Sequence, residues 1–312
     1  MVQAFHPVLL VKLGPDSIRS MNKFIGTGVA MVTPFDTNRE VDFSGLKNLI
    51  NHLIEGGVEY LVSLGTTGES ATLNDDEKKA VWEFTAETVA GRVPLVAGIG
   101  GNDTREIVSK VQQFNVSGYD AILSVSPYYN KPIQEGMYQH YRAIAEAASL
   151  PIILYNVPGR TGSNLAPETT LRLAHDFKNI IAVKEASGNF DQFNQILKDK
   201  PEDFLFISGD DGVTLPLIAM GAAGIISVIG NAVPRIFSNM VRLCLEGKFK
   251  EAQKLHYQLL PLASLLFCEG NPAGVKAALK QLGICEDALR LPLVNVSEKT
   301  FERIGQELHN LK

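Results

Sequence analysis

Apolar and polar positions along the chain recur as one repeated unit. From Gly26 onward, a run rich in Val, Ile and Leu comes first, a Gly-rich or polar turn follows, and a stretch with helical spacing closes the unit. The apolar runs are Gly28–Pro34, Tyr60–Leu64, Pro94–Gly98, Ala121–Ser126, Ile152–Asn156, Ile180–Glu185, Phe204–Ser208 and Ile225–Ile229. They return roughly every 20 to 35 residues, the pitch of strand-plus-helix units. Their nearly unbroken apolar character marks strands of a parallel sheet covered on both faces.

The segments between the runs carry helix signals. Phe43, Leu46, Leu49, Ile50, Leu53 and Ile54 keep i, i+3, i+4 spacing behind Asp42, an N-cap residue, and the pattern stops at Gly56-Gly57. Asn74 with Glu77 three residues on predicts a capping box. Eight such units in order predict an α/β fold, a closed (β/α)8 TIM barrel. An open doubly wound sheet would show fewer strands and a Gly-rich phosphate turn after the first; here Thr33-Pro34-Phe35 follows instead. After Gly247 the pattern is purely helical, including Glu251–Leu266 and Pro272–Leu282. The expected organisation is a leader or tail over 1–20, a barrel over 21–247 and a C-terminal helical extension over 248–312.

Length and charge narrow the function classes. A barrel of this kind takes about 250 residues, so a chain of 312 leaves room for a few extra helices. A net charge of -5 argues against a nucleic-acid partner, because phosphate backbones select basic surfaces. No apolar run approaches the roughly 20 residues of a membrane span. Cys244, Cys268 and Cys285 fall late in the chain in segments that read as helical, and fit neither a disulfide framework nor a zinc site. A reducing, cytoplasmic setting is expected. Phe5–Leu13 is apolar but short and broken by Pro7, with no cleavage pattern after it, so ordered structure is expected from about Met21.

In barrels of this kind the chemistry sits at the C-terminal ends of the strands. Lys184 is the most informative residue there. It interrupts Ile180-Ile181-Ala182-Val183, a buried run in which an ammonium is costly. Burial favours the neutral amine, the form that attacks a carbonyl. A lysine that snorkels to solvent or pairs with a buried carboxylate would produce the same pattern. Tyr155, Tyr129 and Thr66 offer hydroxyls for proton transfer on neighbouring strand ends, although a buried tyrosine more often serves structure. The Gly65–Ser70 loop has the composition of an anion cradle, or of an ordinary turn. Arg160, in Pro-Gly-Arg-Thr-Gly, has the geometry to clamp a carboxylate or to pair with a surface acid.

Absences exclude other chemistry. The six histidines avoid every strand end, and no His or Cys pair there has ligand spacing, so no metal is expected. Gly98-Ile99-Gly100-Gly101-Asn102-Asp103 fails the dinucleotide pattern at its last position, and no cofactor is expected. Asp210 and Asp211 stand where many barrels bind phosphate, so the substrate is expected to be unphosphorylated.

Four segments, Gly-Thr-Thr-Gly-Glu-Ser, Tyr-Asn-Val-Pro-Gly-Arg-Thr-Gly, Val-Lys-Glu-Ala-Ser-Gly and Ser-Gly-Asp-Asp, occur in this order. Together they resemble the dihydrodipicolinate synthase (4-hydroxy-tetrahydrodipicolinate synthase) family, one of the pyruvate-dependent class I aldolases that also include N-acetylneuraminate lyase. The resemblance runs from about Phe24 to the C-terminus. It implies a lyase of the diaminopimelate and lysine pathway that condenses pyruvate with aspartate semialdehyde. It implies Lys184 as the Schiff-base lysine, Tyr155 as proton donor and acceptor, and Thr66 and Tyr129 as the rest of a relay. Tyr129 would reach in from a neighbouring subunit of a homotetramer, a dimer of dimers. Thr67, Ile226 and Gly209 would bind pyruvate, and Arg160 would hold the semialdehyde's carboxylate. Residues matching a lysine-effector pocket are Ser70, Ala71, Asn102, Glu106 and Tyr128. Two further positions there, often histidine or histidine and glutamate, are Asp75 and Lys78, which implies weak or absent lysine feedback. A non-catalytic keto-acid sensor is the rival reading.

Overall fold

A computed structural model describes residues 22–311. The expected start of order near Met21 and the 1–20 leader lie outside the described residues. Eight parallel strands close in sequence order into one barrel. They are β1 (Gly26–Ala30), β2 (Tyr60–Ser63), β3 (Leu95–Gly98), β4 (Ala121–Val125), β5 (Ile152–Asn156), β6 (Ile180–Glu185), β7 (Leu205–Ser208) and β8 (Gly224–Ser227). Two apolar runs, at Ile152 and Ile180, match their strands end to end. The first is displaced: β1 begins two residues earlier and stops at Ala30, before Pro34, which has no N–H to give a ladder.

A main helix follows each strand: α1 (Phe43–Glu55), α2 (Asp75–Val89), α3 (Thr104–Gln113), α4 (Gln134–Ala147), α5 (Pro167–Asp176, after a one-turn helix at Pro158–Thr161), α6 (Phe190–Asp199), α7 (Thr214–Ala219) and α8 (Pro234–Leu245). The caps act as their residue types require. Asp42 accepts from the Gly45 N–H at the start of α1, and Asn74 and Glu77 form a reciprocal capping box at α2. Three more helices complete the chain: α9 (Phe249–Phe267), α10 (Ala273–Gln281) and α11 (Glu298–Asn310). Cys244 lies within α8 and Cys268 caps α9, whereas Cys285 lies outside any helix, beyond the turn at Gly283 that ends α10. None of the helices is long and apolar enough to cross a membrane, among the described residues.

Strand alternation divides the apolar residues into two layers. Leu61, Ile122, Ile152, Leu154, Val183 and Phe206 face outward and pack beneath the helices. Tyr60, Val62, Val96, Leu123, Ile153, Ile181 and Ile207 face inward and fill the barrel. Each fully buried Leu, Ile or Val contributes about 1.5–3 kcal/mol. Phe24 stacks edge-on against Tyr60, with centroids 5.4 Å apart, inside this inner layer. Toward the C-terminal strand ends the inner core gives way to a cavity.

Candidate active site

A cavity of about 540 Å³ opens at that end, lined by strand-end residues on one side and by α9 and the α9–α10 loop on the other. Lys184 and Tyr155 stand side by side on its floor. They are register partners across β5 and β6, and the Lys184 Nζ lies 4.2 Å from the centroid of the Tyr155 ring. The ring face is electron-rich and attracts an ammonium. Lys184 is only 5% exposed, yet among the described residues no carboxylate lies within ion-pair distance of its Nζ. The Tyr155 hydroxyl likewise has no protein partner among the described residues. Gly209 makes room for the lysine: a Cβ there would lie 3.2 Å from Lys184 Cε and 2.7 Å from Ala186 Cβ.

The next residue on each strand faces the other way. Glu185 is buried behind the floor, where Asn156, Gln192 and the Ser187 N–H donate to it. Burial raises its pKa against the pull of these donors. The network ties β5, β6 and α6 together directly beneath the reactive pair.

The loop after β2 forms the wall. Thr66–Gly68 is a single 3-10 turn, which provides no acceptor of its own for its first N–H groups. Thr66 and Thr67 both line the cavity. Leu64 (φ 55°) and Glu69 (φ 51°) flank the turn in left-handed conformations that non-glycine residues rarely adopt. Arg160 lines the opposite side from the turn Pro158–Thr161, and no carboxylate pairs with its guanidinium among the described residues.

Asp211 also borders the cavity but turns toward the protein. Its carboxylate accepts from Ser227 Oγ (2.6 Å) and from the N–H groups of Val228 (3.1 Å) and Ile229 (3.0 Å). Burial pushes its pKa up to about 6. The residue therefore braces the end of β8, a role that its sequence context did not suggest.

Not every expected site residue gathers here. Ile226 belongs to the packed barrel interior and does not line the cavity. Tyr129 is 92% exposed, outside the cavity, with φ 65° and its N–H donating to the Thr161 carbonyl at 3.3 Å. Of the other group, Asn102 Nδ2 donates to the Tyr128 carbonyl at 3.2 Å. Glu106 is engaged by Lys110 at 2.6 Å, and Lys110 also meets Asp75 at 3.2 Å, which in turn meets Lys78 at 3.6 Å. No group of three or more potential metal ligands assembles among the described residues.

Sequence reasoning missed Lys276, although its signal resembled that of Lys184: a lysine inside the apolar run Ala273-Gly274-Val275-Lys276-Ala277-Ala278-Leu279. Its Nζ is fully buried and pairs with Glu69 at 2.5 Å. The two buried lysines thus separate into one paired with a carboxylate and one with none among the described residues.

Comparison with known proteins agrees with this architecture. A model of the dihydrodipicolinate synthetase family matches residues 23–311. A 4-hydroxy-tetrahydrodipicolinate synthase of Parabacteroides distasonis is 54% identical over 286 residues, covering 92% of this chain and 96% of the relative. The solved dihydrodipicolinate synthase of Thermotoga maritima superposes with a TM-score of 0.90 at 42% identity, covering 92% of this chain and 98% of its own. The Acinetobacter baumannii enzyme, solved in complex with pyruvate, has a TM-score of 0.89 at 39% identity, with the same coverages. With the family matched over nearly its whole length and relatives above half identity, this chain belongs to the dihydrodipicolinate synthetase family.

Proposed function

We propose that the chain forms 4-hydroxy-tetrahydrodipicolinate from pyruvate and aspartate semialdehyde, with Lys184 as the covalent catalyst. The observation that carries this reading is a buried lysine with no carboxylate partner among the described residues, beside a tyrosine ring in a cavity that an arginine also lines.

The Lys184 amine attacks C2 of pyruvate, and loss of water gives an iminium. The iminium withdraws electrons from C3, which loses a proton to become an enamine. The enamine C3 forms the new carbon–carbon bond to the aldehyde carbon, and the resulting alkoxide takes up a proton. The semialdehyde's own amine then attacks C2, closes the ring and displaces Lys184. Tyr155 moves protons at the C2 oxygen and the alkoxide; its position beside Lys184 supports this role. Thr66 passes protons to and from Tyr155, Thr67 holds the keto acid's carboxylate at the strand-two turn with Gly209 opposite, and Ile226 packs beneath. Arg160 receives the carboxylate of the semialdehyde, a group that a polyhydroxylated sugar acceptor such as N-acetylmannosamine lacks.

A relay that includes Tyr129 needs a second copy of the chain, because Tyr129 points away from its own cavity. The proposed working form is a cytoplasmic homotetramer, a dimer of dimers; the exposure of Tyr129 supports its entry into a neighbour's site. The test of the reaction is product formation with each acceptor in turn. Turnover is expected with aspartate semialdehyde and not with N-acetylmannosamine; the reverse preference would contradict the reading.

A further inference from the structure

The C-terminal helices build the wall of the cavity beside the loop after β2, and they touch that loop at two buried points. Asn271, between α9 and α10, donates from Nδ2 to Thr67 Oγ1 at 2.9 Å across 204 residues of chain. Lys276, one turn into α10, reaches Glu69 Oε1 at 2.5 Å and donates to the Ala288 carbonyl at 2.8 Å, with its Nζ 4.1 Å from the Phe35 ring centroid. Close packing allows this approach. A Cβ at Gly274 would lie 2.5 Å from the Leu266 carbonyl oxygen, so α10 comes nearer to α9 than any side chain would permit.

The direction of the first contact matters for chemistry. A threonine hydroxyl has one proton to donate and two lone pairs that accept. Asn271 occupies a lone pair of Thr67, and no protein group accepts the Thr67 proton among the described residues. Thr67 is 3% exposed and Asn271 7% exposed, so bulk water does not define the hydroxyl's direction. Both residues line the cavity that contains Lys184. The other end of the amide, Asn271 Oδ1, is buried without a hydrogen-bond partner. A polar atom left unpartnered at a cavity wall is a place for a ligand group or a bound water.

We infer that Asn271 is a positioning residue: by donating to Thr67 Oγ1 it turns the Thr67 hydroxyl proton into the cavity, toward the carboxylate of the keto acid. The inference rests on the reading of the cavity as the pyruvate site. Glu69 and Lys276 fix the loop so that this geometry is present before substrate arrives. The C-terminal helices are thereby part of the substrate site.

A double-mutant cycle tests this in the full-length enzyme, with Asn271→Ala, Thr67→Val and the double variant, reading the KM of each substrate and kcat separately. A neutral hydrogen bond is worth about 1 kcal/mol, so Asn271→Ala should raise the KM for pyruvate roughly five- to tenfold. The KM for aspartate semialdehyde should change less than twofold. In the Thr67→Val background, Asn271→Ala should add less than twofold to the pyruvate KM. The near-isosteric Asn271→Asp keeps the shape should the alanine variant fail to fold. It replaces the donor with an acceptor and should raise the pyruvate KM at least as much. An unchanged pyruvate KM in a folded Asn271 variant overturns the inference, as does an equal rise with and without the Thr67 hydroxyl. Borohydride trapping of pyruvate on the wild-type enzyme separates the two levels: a wild type that traps nothing overturns the pyruvate reading itself, and this inference with it.

Discussion

Lys184 lies opposite Tyr155 because strand β6 contains one extra residue. The pairing runs Ile152 to Ile180 and then Ile153 to Ala182, so Ile181 is a bulge. Ile181 and Ala182 both join the inner core, and every later residue of β6 is shifted by one. Without the bulge Val183 would face Tyr155, and Lys184 would point beneath the helices. A single irregularity thus puts an amine, and not a methyl group, on the cavity floor.

Tyr155→Phe retains the ring beside the ammonium and removes only the hydroxyl. Because that hydroxyl has no protein partner among the described residues, stability should change by less than about 1 kcal/mol. The kcat should fall about 10²- to 10³-fold, the scale of a lost acid–base group, while borohydride still traps pyruvate. Stopped-flow turnover alongside mass spectrometry checks both; a kcat within threefold of wild type would remove Tyr155 from the relay.

Arg160→Ala should act on one substrate only. Losing a charge-assisted contact to the semialdehyde's carboxylate should raise its KM by roughly 10- to 100-fold. The pyruvate KM should stay within about twofold of wild type by the same scale. Steady-state kinetics with each substrate varied decides this, and an equal effect on both would place Arg160 elsewhere in the reaction.

Asp211→Asn should reveal a pH-dependent strain at the end of β8. The folded-state pKa of about 6 lies above the ordinary value, so the folded protein binds this proton more tightly than the unfolded chain does. Its contribution to stability is full below about pH 4 and is lost as the pH rises through 6. An asparagine can retain the contacts, its amide oxygen accepting from Val228 and Ile229 and its N–H donating to Ser227. Urea unfolding should show the variant gaining on wild type by about 1–3 kcal/mol between pH 4 and pH 7. A difference that does not change over this range would contradict the account.

Much of this was legible in the apolar pattern, for physical reasons. Continuous Val, Ile and Leu runs mark buried parallel strands, and Asp42 and Asn74 start helices by accepting from exposed N–H groups, so elements and order followed. A lysine in such a run is costly enough to stand out. What was not legible depends on contacts distant in the chain. The bulge at Ile181 leaves no trace in an apolar run, since it exchanges one core-facing methyl group for another. The Asn271–Thr67 contact joins two ordinary polar residues from opposite ends of the fold. Tyr129 and Tyr155 look alike in sequence, yet one ends a loop facing solvent and the other a strand facing the cavity.

Lysine feedback should be weak. An effector ammonium placed near Glu106 would meet Lys110 already bound there, with Lys78 beside the shared Asp75. The Lys110 hydrogen bond and charge hold the Asp75 carboxyl below the usual carboxylate range. An inhibition curve with L-lysine should show little effect at 1 mM, on the order of ten per cent or less for a site of Kd near 10 mM. Half-inhibition below 1 mM would show that the cluster rearranges to admit the effector.

The central claim is that Lys184 is the residue that bonds to pyruvate, and borohydride reduction with pyruvate followed by peptide mapping tests it most directly. The account predicts one reduced pyruvate adduct per chain, on Lys184, and none on Lys276, whose amine is bound to Glu69. An unmodified Lys184 in enzyme that turns over, or an adduct at any other lysine, would contradict it.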